Sequence, residues 1–460
     1  MPRHAGLSQW QHTVSTYLPD LSRPQVTVLA LWSLGIVLAQ SCGLTTVAVL
    51  LAYLLDVREH SVRERLRDWY RDATDKHRAK RGDKRRSLDV TTCFPALLRW
   101  VVAWSPPTCQ HLALAMDAAT LGQRFTILTI SVRVRGCAIP VAWHIVEATR
   151  PGAWRPHWEA LFEHLHGSVP ADWTVIVAAD RGWYAKWLFQ IIQKAGWHAY
   201  LRINRQGQYC PAGSSTFRPL SQVVTRMGQH WAGAVTCFVT KQRQLPCTLL
   251  ARWDRGYTDP WLILTDLPTH HADVAWYGLR AWIECGFKDA KRGGWHWEQT
   301  KMRDPRRAER LWLAMAVATL WVVRVGCQAE ISQPVPLLAD LPETHRARQR
   351  AGTGRAHGRV LSCFRRGRLL LVAALLNGQA LPLGQVVPEP WPKSLDTHIE
   401  RPLAYTTASE SGLAKTLHLK APRPPAIDAC CRINALAHGS GMPRQMNVEL
   451  APQHTWAIRV

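Results

Sequence analysis

Two aspartates follow apolar runs that are typical of strands, and their side chains could together hold a metal ion. Asp117 lies at the end of the apolar run over residues 111–119, and Asp180 directly follows the apolar run over residues 173–179. A single carboxylate at such a place would be a helix cap or a turn residue. Two on separate strands of one sheet can converge instead, and a divalent cation then relieves their repulsion.

A third group of polar residues lies on a predicted helix that begins at about Ala272. At about 100° per residue they share one narrow face of that helix. The residues on this face are Tyr277, Arg280, Glu284 and Lys291. A carboxylate flanked by two cations and a phenol suits the handling of phosphate groups. The alternative is a solvated face on which Arg280 and Glu284 form an ordinary i,i+4 ion pair.

The spacing of this helical group carries a resemblance to a known family. The sequence resembles the DDE transposases of bacterial insertion sequences, in the insertion-sequence-four family, marked by Tyr, two residues, Arg, three residues, Glu, six residues and Lys. The stretches MDAATLGQRFTILTISVRVRGCAIPVAWHI and VIVAADRGWYAKWLFQ look like the family's first and second aspartate regions. The segments SCFRRGRLLLVAALL and PEPWP are similar to its C-terminal regions, so the resemblance covers about residues 20–392.

This resemblance implies a fold, a reaction and a set of roles. It implies a ribonuclease-H-like catalytic core with a β-rich insertion before the helix that bears the glutamate. Asp117, Asp180 and Glu284 are then expected to be catalytic and to bind two Mg²⁺ or Mn²⁺ ions. The helical residues Tyr277, Arg280 and Lys291 are expected to contact transposon-end DNA.

The activity implied by the resemblance is that of a DNA transposase. Such an enzyme binds terminal inverted repeats, cleaves the transposon ends and joins them to target DNA by phosphodiester transfer. Its expected partner is double-stranded DNA, from both the ends and the target, and a homodimer is expected in the DNA complex.

Periodicity along the chain divides it into three regions. Residues 1–108 read as a helical DNA-binding domain with a basic linker. Residues 109–392 show three strands in a meander, then helix, strand, helix and strand, which predicts an α/β domain with a mixed sheet. Within it, short β-like runs between Gly and Pro mark residues 205–268 as a β-rich insertion. Residues 393–460 have little periodicity and are predicted to be a poorly ordered tail.

Three local signals predict element boundaries within residues 109–392. A tight turn at Arg135-Gly136 is expected to join the second and third strands of the meander. The short run over residues 261–265 is β-like. Asp304 followed by Pro305 is a cap with a proline at the first helical position, which predicts a helix that runs to about Gly326.

The N-terminal region contains a predicted helix-turn-helix. Ser61 and Glu64 form a capping-box pattern at the start of its second helix, along which Arg63, Arg67 and Arg71 recur every four residues. This helix could enter a DNA groove, or its arginines could be an ordinary solvated face. The basic run over residues 76–86 is typical of a solvated segment, and the same residues could also contact DNA phosphates.

Composition agrees with a nucleic-acid partner. The chain has 57 Lys and Arg against 33 Asp and Glu, a net charge of +24, which suits a polyanion. The 12 cysteines show no zinc spacing, so reduced thiols in a cytosolic protein are expected. The resemblance implies a bacterial cytoplasmic, nucleoid-associated location. Residues 25–55 carry no charge and are long enough to span a bilayer, but a break at 40–43 favours two buried helices and no membrane.

Two other functions stay open at this point. One is a catalytically inactive DNA-binding derivative of a transposase, against which the intact acidic triad argues. The other is a different ribonuclease-H-like nuclease, and the spacing of the tyrosine, arginine, glutamate and lysine favours the transposase over it.

Overall fold

The computed structural model describes residues 5–76, 87–149, 154–331, 361–388 and 391–392. Within these ranges the predicted mixed α/β class is confirmed, since helices pack against one ten-stranded mixed sheet. The predicted tail at 393–460 lies outside the described residues, as do residues 77–86 of the basic run.

The described helices and strands alternate only in the middle of the chain. The helices are α1 (Ala5–Tyr17), α2 (Arg23–Ala39), α3 (Leu44–Leu55), α4 (Glu59–Tyr70), α5 (Phe94–Ala103), α6 (Arg155–Leu165), α7 (Lys186–Lys194), α8 (Trp282–Ala290), α9 (Pro305–Ile331) and α10 (Cys363–Leu376). The strands are β1 (His111–Leu121), β2 (Phe125–Val134), β3 (Cys137–Glu147), β4 (Thr174–Ala179), β5 (His198–Arg202), β6 (Gln208–Pro211), β7 (Arg218–Pro219), β8 (His230–Cys237), β9 (Leu245–Arg252) and β10 (Trp261–Thr265).

The sheet changes from antiparallel to parallel at β1. Its order is β3-β2-β1-β4-β5-β10-β9-β8-β6-β7, with β1, β2 and β3 antiparallel and β4 parallel to both β1 and β5. The predicted tight turn between β2 and β3 is present, and Arg135 and Gly136 have φ of 45° and 75°. Positive φ at both central residues matches the right-handed twist of the flanking strands.

The region predicted as a β-rich insertion extends the same sheet. Between residues 205 and 268 lie β6 to β10, and β10 pairs antiparallel with β5 through Ile263 and Arg202. The chain therefore leaves the parallel part of the sheet at β5, adds five strands beyond that edge, and returns to β5 before the segment that leads into α8.

The uncharged N-terminal stretch forms two helices, as predicted. α2 and α3 are bent by 98° relative to each other, and Gln40 between them takes a left-handed φ of 52°. α9 is long and apolar enough to cross a membrane by length and composition alone, and 89% of its apolar window is buried inside the protein. α2, α4 and α10 pack against it, as does β3 of the sheet.

The predicted capping box at Ser61 is wrong. α4 begins two residues earlier, at Glu59, with Arg58 at the N-cap position. The carboxylate of Glu64 instead pairs with Arg67 at 2.6 Å and with Arg71 at 3.5 Å. The pair with Arg67 has the i,i+3 spacing that supports a helix, and the pair with Arg71 reaches the residue that follows the end of α4.

The start of α9 follows its sequence signal closely. Pro305 occupies the first helical position, and the Asp304 carboxylate accepts a hydrogen bond from the backbone N–H of Arg307 at 3.0 Å. This is the predicted combination of cap and N-terminal proline. The helix runs to Ile331 rather than ending near Gly326, because Gly326 lies where α10 crosses closely: a Cβ there would overlap the carbonyl of Cys363.

Candidate active site

The two aspartates lie side by side on neighbouring parallel strands. Ala115 of β1 pairs with Ala178 of β4, so Asp117 and Asp180, each two residues further on, fall at the same level of the sheet. Asp180 directly follows β4, as expected, but Asp117 lies inside β1 rather than at its end. β1 continues because residues 118–121 still pair with β2 up to the turn that joins the two strands.

The third group is not carried by one continuous α-helix. Residues Val274–Ala281 form a 3₁₀ helix, capped by the Asp273 carboxylate, and only then does α8 begin at Trp282. Lys291 is the residue after the end of α8. The single helical face with about 100° per residue is therefore wrong, because a 3₁₀ turn advances about 120° per residue. Tyr277, Arg280 and Glu284 nevertheless reach the two aspartates.

The side chain of Arg280 joins the three carboxylates. Its Nη2 lies 2.6 Å from Asp117 Oδ2 and 3.7 Å from Asp180 Oδ2. Its Nη1 lies 3.5 Å from Glu284 Oε1. The predicted Arg280–Glu284 pair thus exists, but its guanidinium is buried and also reaches two aspartates, so the pair is not an ordinary solvated surface bridge.

Burial and charge act differently on the two aspartates. Burial raises the pKa of Asp117, although Arg280 and the backbone N–H of Ala118 counteract it. Burial also acts to raise the pKa of Asp180, but Arg280 and the backbone N–H of Arg181 outweigh it and hold that pKa below the ordinary value. Asp180 is the more exposed of the two, at 39% against 18% of the side chain, which agrees with its smaller loss of hydration.

Tyr277 positions the second aspartate. Its hydroxyl donates a hydrogen bond to Asp180 Oδ1 at 3.4 Å, and its ring makes an edge contact with Trp261 on β10, with centroids 5.2 Å apart. Burial raises the pKa of this phenol. Tyr277 therefore stays protonated at neutral pH and acts as a hydrogen-bond donor to the carboxylate.

Arg202 is a site residue that sequence reasoning missed. It ends β5, and its Nη1 lies 3.9 Å from Asp180 Oδ1. The pairing of Ala179 with Leu201 between β4 and β5 places Arg202 level with Asp180. In the sequence, Arg202 is an arginine at the carboxyl end of an apolar strand. Its importance follows only from the strand order, because β5 is the neighbour of β4, the strand that Asp180 follows.

Lys291 lies apart from the carboxylate cluster. Its Nζ donates a hydrogen bond to the carbonyl of Thr120 on β1 at 2.8 Å. Burial lowers its pKa, and Glu298 partly counteracts this. The ammonium is therefore fixed near the end of the strand that carries Asp117, where it adds positive charge without pairing with the three carboxylates in the contacts described.

The N-terminal arginines belong to a different part of the molecule. Arg63, Arg67 and Arg71 lie on α4, which packs against α2, α3 and α9. Arg67 and Arg71 are half-buried and share Glu64. Their charge is thus partly compensated within the helix.

The donor chemistry of the cluster fits a divalent cation. Three carboxylates from β1, the end of β4 and α8 converge on one cation, and carboxylate oxygens are the ligands that Mg²⁺ and Mn²⁺ prefer. Here the cation is Arg280. Across the described ranges, no group of three or more His, Cys, Asp or Glu side chains is arranged so that it could hold a metal ion as it stands. The guanidinium occupies the place between the carboxylates.

A family model matches the middle of the chain. Residues 154–321 match the model described as the transposase DDE domain. The match supports a DDE transposase. It includes Asp180, Tyr277, Arg280, Glu284 and Lys291, and it begins after Asp117.

No curated protein matches the chain. Among solved structures, the chain is similar to a piggyBac transposase synaptic complex with hairpin DNA, determined by cryo-EM, at 10% identity and a TM-score of 0.31. That likeness covers 77% of this chain and 85% of the other.

Proposed function

We propose that this protein is a DNA transposase of the insertion-sequence-four type, which binds terminal inverted repeats, cleaves transposon ends and joins them to target DNA. The observation that carries the proposal is the convergence of Asp117, Asp180 and Glu284 on one cation. The three come from separate elements; Asp180 and Glu284 lie within the DDE-transposase match, and Asp117 precedes it in the chain. A ribonuclease-H-like core is supported by the three-stranded meander, the two following parallel strands and the β-rich segment before α8.

The acidic triad is proposed to hold two Mg²⁺ or Mn²⁺ ions. When bound, such ions activate an oxygen nucleophile and stabilise the leaving oxygen of an in-line phosphodiester transfer. The side chains that would hold them are those of Asp117, Asp180 and Glu284. Tyr277 fixes the Asp180 carboxylate by its hydrogen bond, and Arg202 adds a cation beside it.

The reaction proceeds in two displacements without a covalent protein intermediate. Water attacks the phosphorus at the transposon end, the P–O3′ bond breaks, and a 3′-OH is released. That 3′-OH then attacks a phosphorus of the target strand, forming the new joint and displacing a target 3′-OH. The positive charges of Arg280 and Lys291 stabilise DNA phosphates that lie close to the carboxylates.

DNA recognition is proposed to be shared along the chain. Arg63, Arg67 and Arg71 on α4, together with the basic run at 76–86, would contact double-stranded DNA of the ends. Tyr277 is proposed to contact the end near the cleavage site, and the active DNA complex is proposed to be a homodimer in the bacterial cytoplasm. The excess of cations over the whole chain, a net charge of +24, supports a phosphate-rich partner.

The proposed function is tested with the DNA that flanks the gene. Duplexes carrying the inverted repeats found there are incubated with the full chain and Mg²⁺, and the products are analysed on a denaturing gel. We expect nicks that leave a 3′-OH at the element boundary, and joining to a supercoiled target plasmid. Binding without nicking in either Mg²⁺ or Mn²⁺ would contradict the proposal, as would nicking indifferent to the repeat sequence.

The basic face of α4 makes a separate prediction about salt. Replacing Arg63, Arg67 and Arg71 by Gln in the full chain is expected to flatten the slope of log K against log salt. The slope is expected to change by at most about 2.7, since each neutralised phosphate contributes about 0.9 to it. Because Arg67 and Arg71 already pair with Glu64, the measured change in slope should be smaller than this limit. Fluorescence anisotropy of labelled duplex across a salt series measures the slope.

A charge-matched control separates direct contact from net charge. The three exposed cations Arg155, Lys194 and Arg226 lie on other elements, and changing them to Gln removes the same charge. We expect this control to keep the wild-type slope. Equal slopes for the two triple variants would show that α4 makes no special contact with DNA.

A further inference from the structure

Arg280 occupies the place in which the three carboxylates would hold a cation. Its two terminal nitrogens lie 2.6, 3.7 and 3.5 Å from oxygens of Asp117, Asp180 and Glu284. One guanidinium thereby compensates carboxylates from three elements that would otherwise repel one another.

The guanidinium is held by one short contact and two long ones. Only the distance to Asp117 is typical of a charge-assisted hydrogen bond, and the other two exceed the usual range for N–H···O bonds. The Nε–H of Arg280 is buried and has no hydrogen-bond partner among the described residues. A buried donor without a partner is unfavourable, so this arrangement of the side chain is incompletely satisfied.

The exposure of the carboxylates gives the order in which a cation from solvent would meet them. Glu284 and Asp180 expose 43% and 39% of their side chains, whereas Asp117 exposes 18%. A divalent cation would therefore reach the two carboxylates that Arg280 holds loosely before the one that it holds closely. The short Arg280–Asp117 contact is the last to be exchanged.

We propose that Arg280 is a displaceable counter-cation, which holds the triad together without metal and leaves it when divalent cations bind. This inference rests on the proposed function, in which the same carboxylates hold metal. A guanidinium and a divalent cation repel strongly when both lie within a few ångströms of the same carboxylates. The released side chain is then available to a DNA phosphate, whose geometry suits an arginine fork.

Metal binding to the full chain, titrated calorimetrically with MnCl₂ in the absence of DNA, tests this exchange. Arg280→Gln is expected to bind Mn²⁺ at least about tenfold more tightly than wild type, because no cation has to leave and the carboxylate repulsion is relieved. Without Mn²⁺ this variant should melt at a lower temperature than wild type, and saturating Mn²⁺ should raise its melting temperature by more. Equal or weaker Mn²⁺ binding by the variant overturns the proposal.

A matched variant controls for the loss of charge. Arg252 pairs with Asp254 at 2.7 Å instead of with the triad, so Arg252→Gln should leave the Mn²⁺ affinity within about twofold of wild type. If it tightens binding as much as Arg280→Gln does, net charge and not displacement explains the effect, and the proposal fails.

Two further variants keep every outcome decisive. If the triple variant Asp117→Asn, Asp180→Asn and Glu284→Gln binds Mn²⁺ as well as wild type does, the carboxylates hold no metal and the proposed function itself fails. If this triple variant loses binding while Arg280→Gln is unchanged, only the counter-cation role fails. If Arg280→Gln does not fold, Arg280→Lys is used in its place. A single ammonium group cannot bridge several carboxylates as a guanidinium does, so Arg280→Lys is expected to bind Mn²⁺ more tightly than wild type. Mn²⁺ binding no tighter than that of wild type would overturn the counter-cation role of Arg280.

Discussion

Asp180→Asn is expected to reduce cleavage of transposon ends about a thousandfold while leaving DNA binding intact. The substitution keeps the shape of the side chain and its contact with Tyr277, but it removes one of the three charges proposed to hold metal. Metal stabilisation of a phosphoryl transition state is worth several kcal/mol, and about 4 kcal/mol corresponds to about three orders of magnitude in rate. Rates on a labelled end substrate and anisotropy on the same duplex measure the two effects separately.

The matched control lies at the other end of the same strand. Asp172 precedes β4 and is exposed, whereas Asp180 follows it, so Asp172→Asn makes the same change of charge away from the triad. This control should cleave at a rate within about twofold of wild type. Cleavage by Asp180→Asn within about tenfold of wild type would exclude the carboxylate from the chemistry. A parallel loss of DNA binding would point to misfolding instead.

Local sequence signals predicted many elements of this fold well. The run Trp261–Thr265 and the hairpin of Phe125–Val134 with its Arg135-Gly136 turn coincide with strands in the structure. Apolar runs bounded by turn residues, and a proline after a capping aspartate, act over a few residues and need no knowledge of tertiary contacts. The α4 boundary was misplaced because the helix already begins at Glu59, so Ser61 lies within its first turn, and a capping pattern alone does not show how far upstream a helix extends.

The arrangement of the candidate site needed the tertiary structure. The sequence spacing predicted that Tyr277, Arg280 and Glu284 share one face of a helix, and in the structure all three side chains reach the aspartates. They do so because residues Val274–Ala281 form a 3₁₀ helix, which no local sequence pattern indicated. Propensity does not distinguish a 3₁₀ turn from the first turn of an α-helix. The central position of Arg280 and the approach of Arg202 depend on which strands are neighbours, and strand order is a property of the whole fold.

Arg310→Met is expected to lower the free energy of unfolding by about 2–4 kcal/mol, because it removes the donor of one buried and two partly buried hydrogen bonds. Arg310 is buried on α9, and its Nε donates to the carbonyl of Leu88 at 2.9 Å. Its Nη1 and Nη2 donate to the carbonyl of Tyr70 at 2.7 Å and to Asp72 Oδ1 at 2.8 Å. One side chain therefore joins two described segments to α9, the end of α4 at Tyr70–Asp72 and the segment at Leu88.

Arg307 supplies the control for this prediction on the same helix. It pairs with Asp75 at 2.7 Å, but both side chains are substantially exposed, at 35% and 46%, and exposed pairs contribute about 0–1 kcal/mol. Urea denaturation of the full chain should therefore leave Arg307→Met near wild type and shift Arg310→Met to a clearly lower midpoint. Adding Asp72→Asn to Arg310→Met should recover part of the loss, since the aspartate then no longer lacks a partner charge. A loss of less than about 1 kcal/mol in Arg310→Met would mean that water replaces the guanidinium at these acceptors. α4 would then be held to α9 by apolar packing and by the hydrogen bond that Trp69 Nε1 donates to the backbone carbonyl of Arg310 at 2.9 Å.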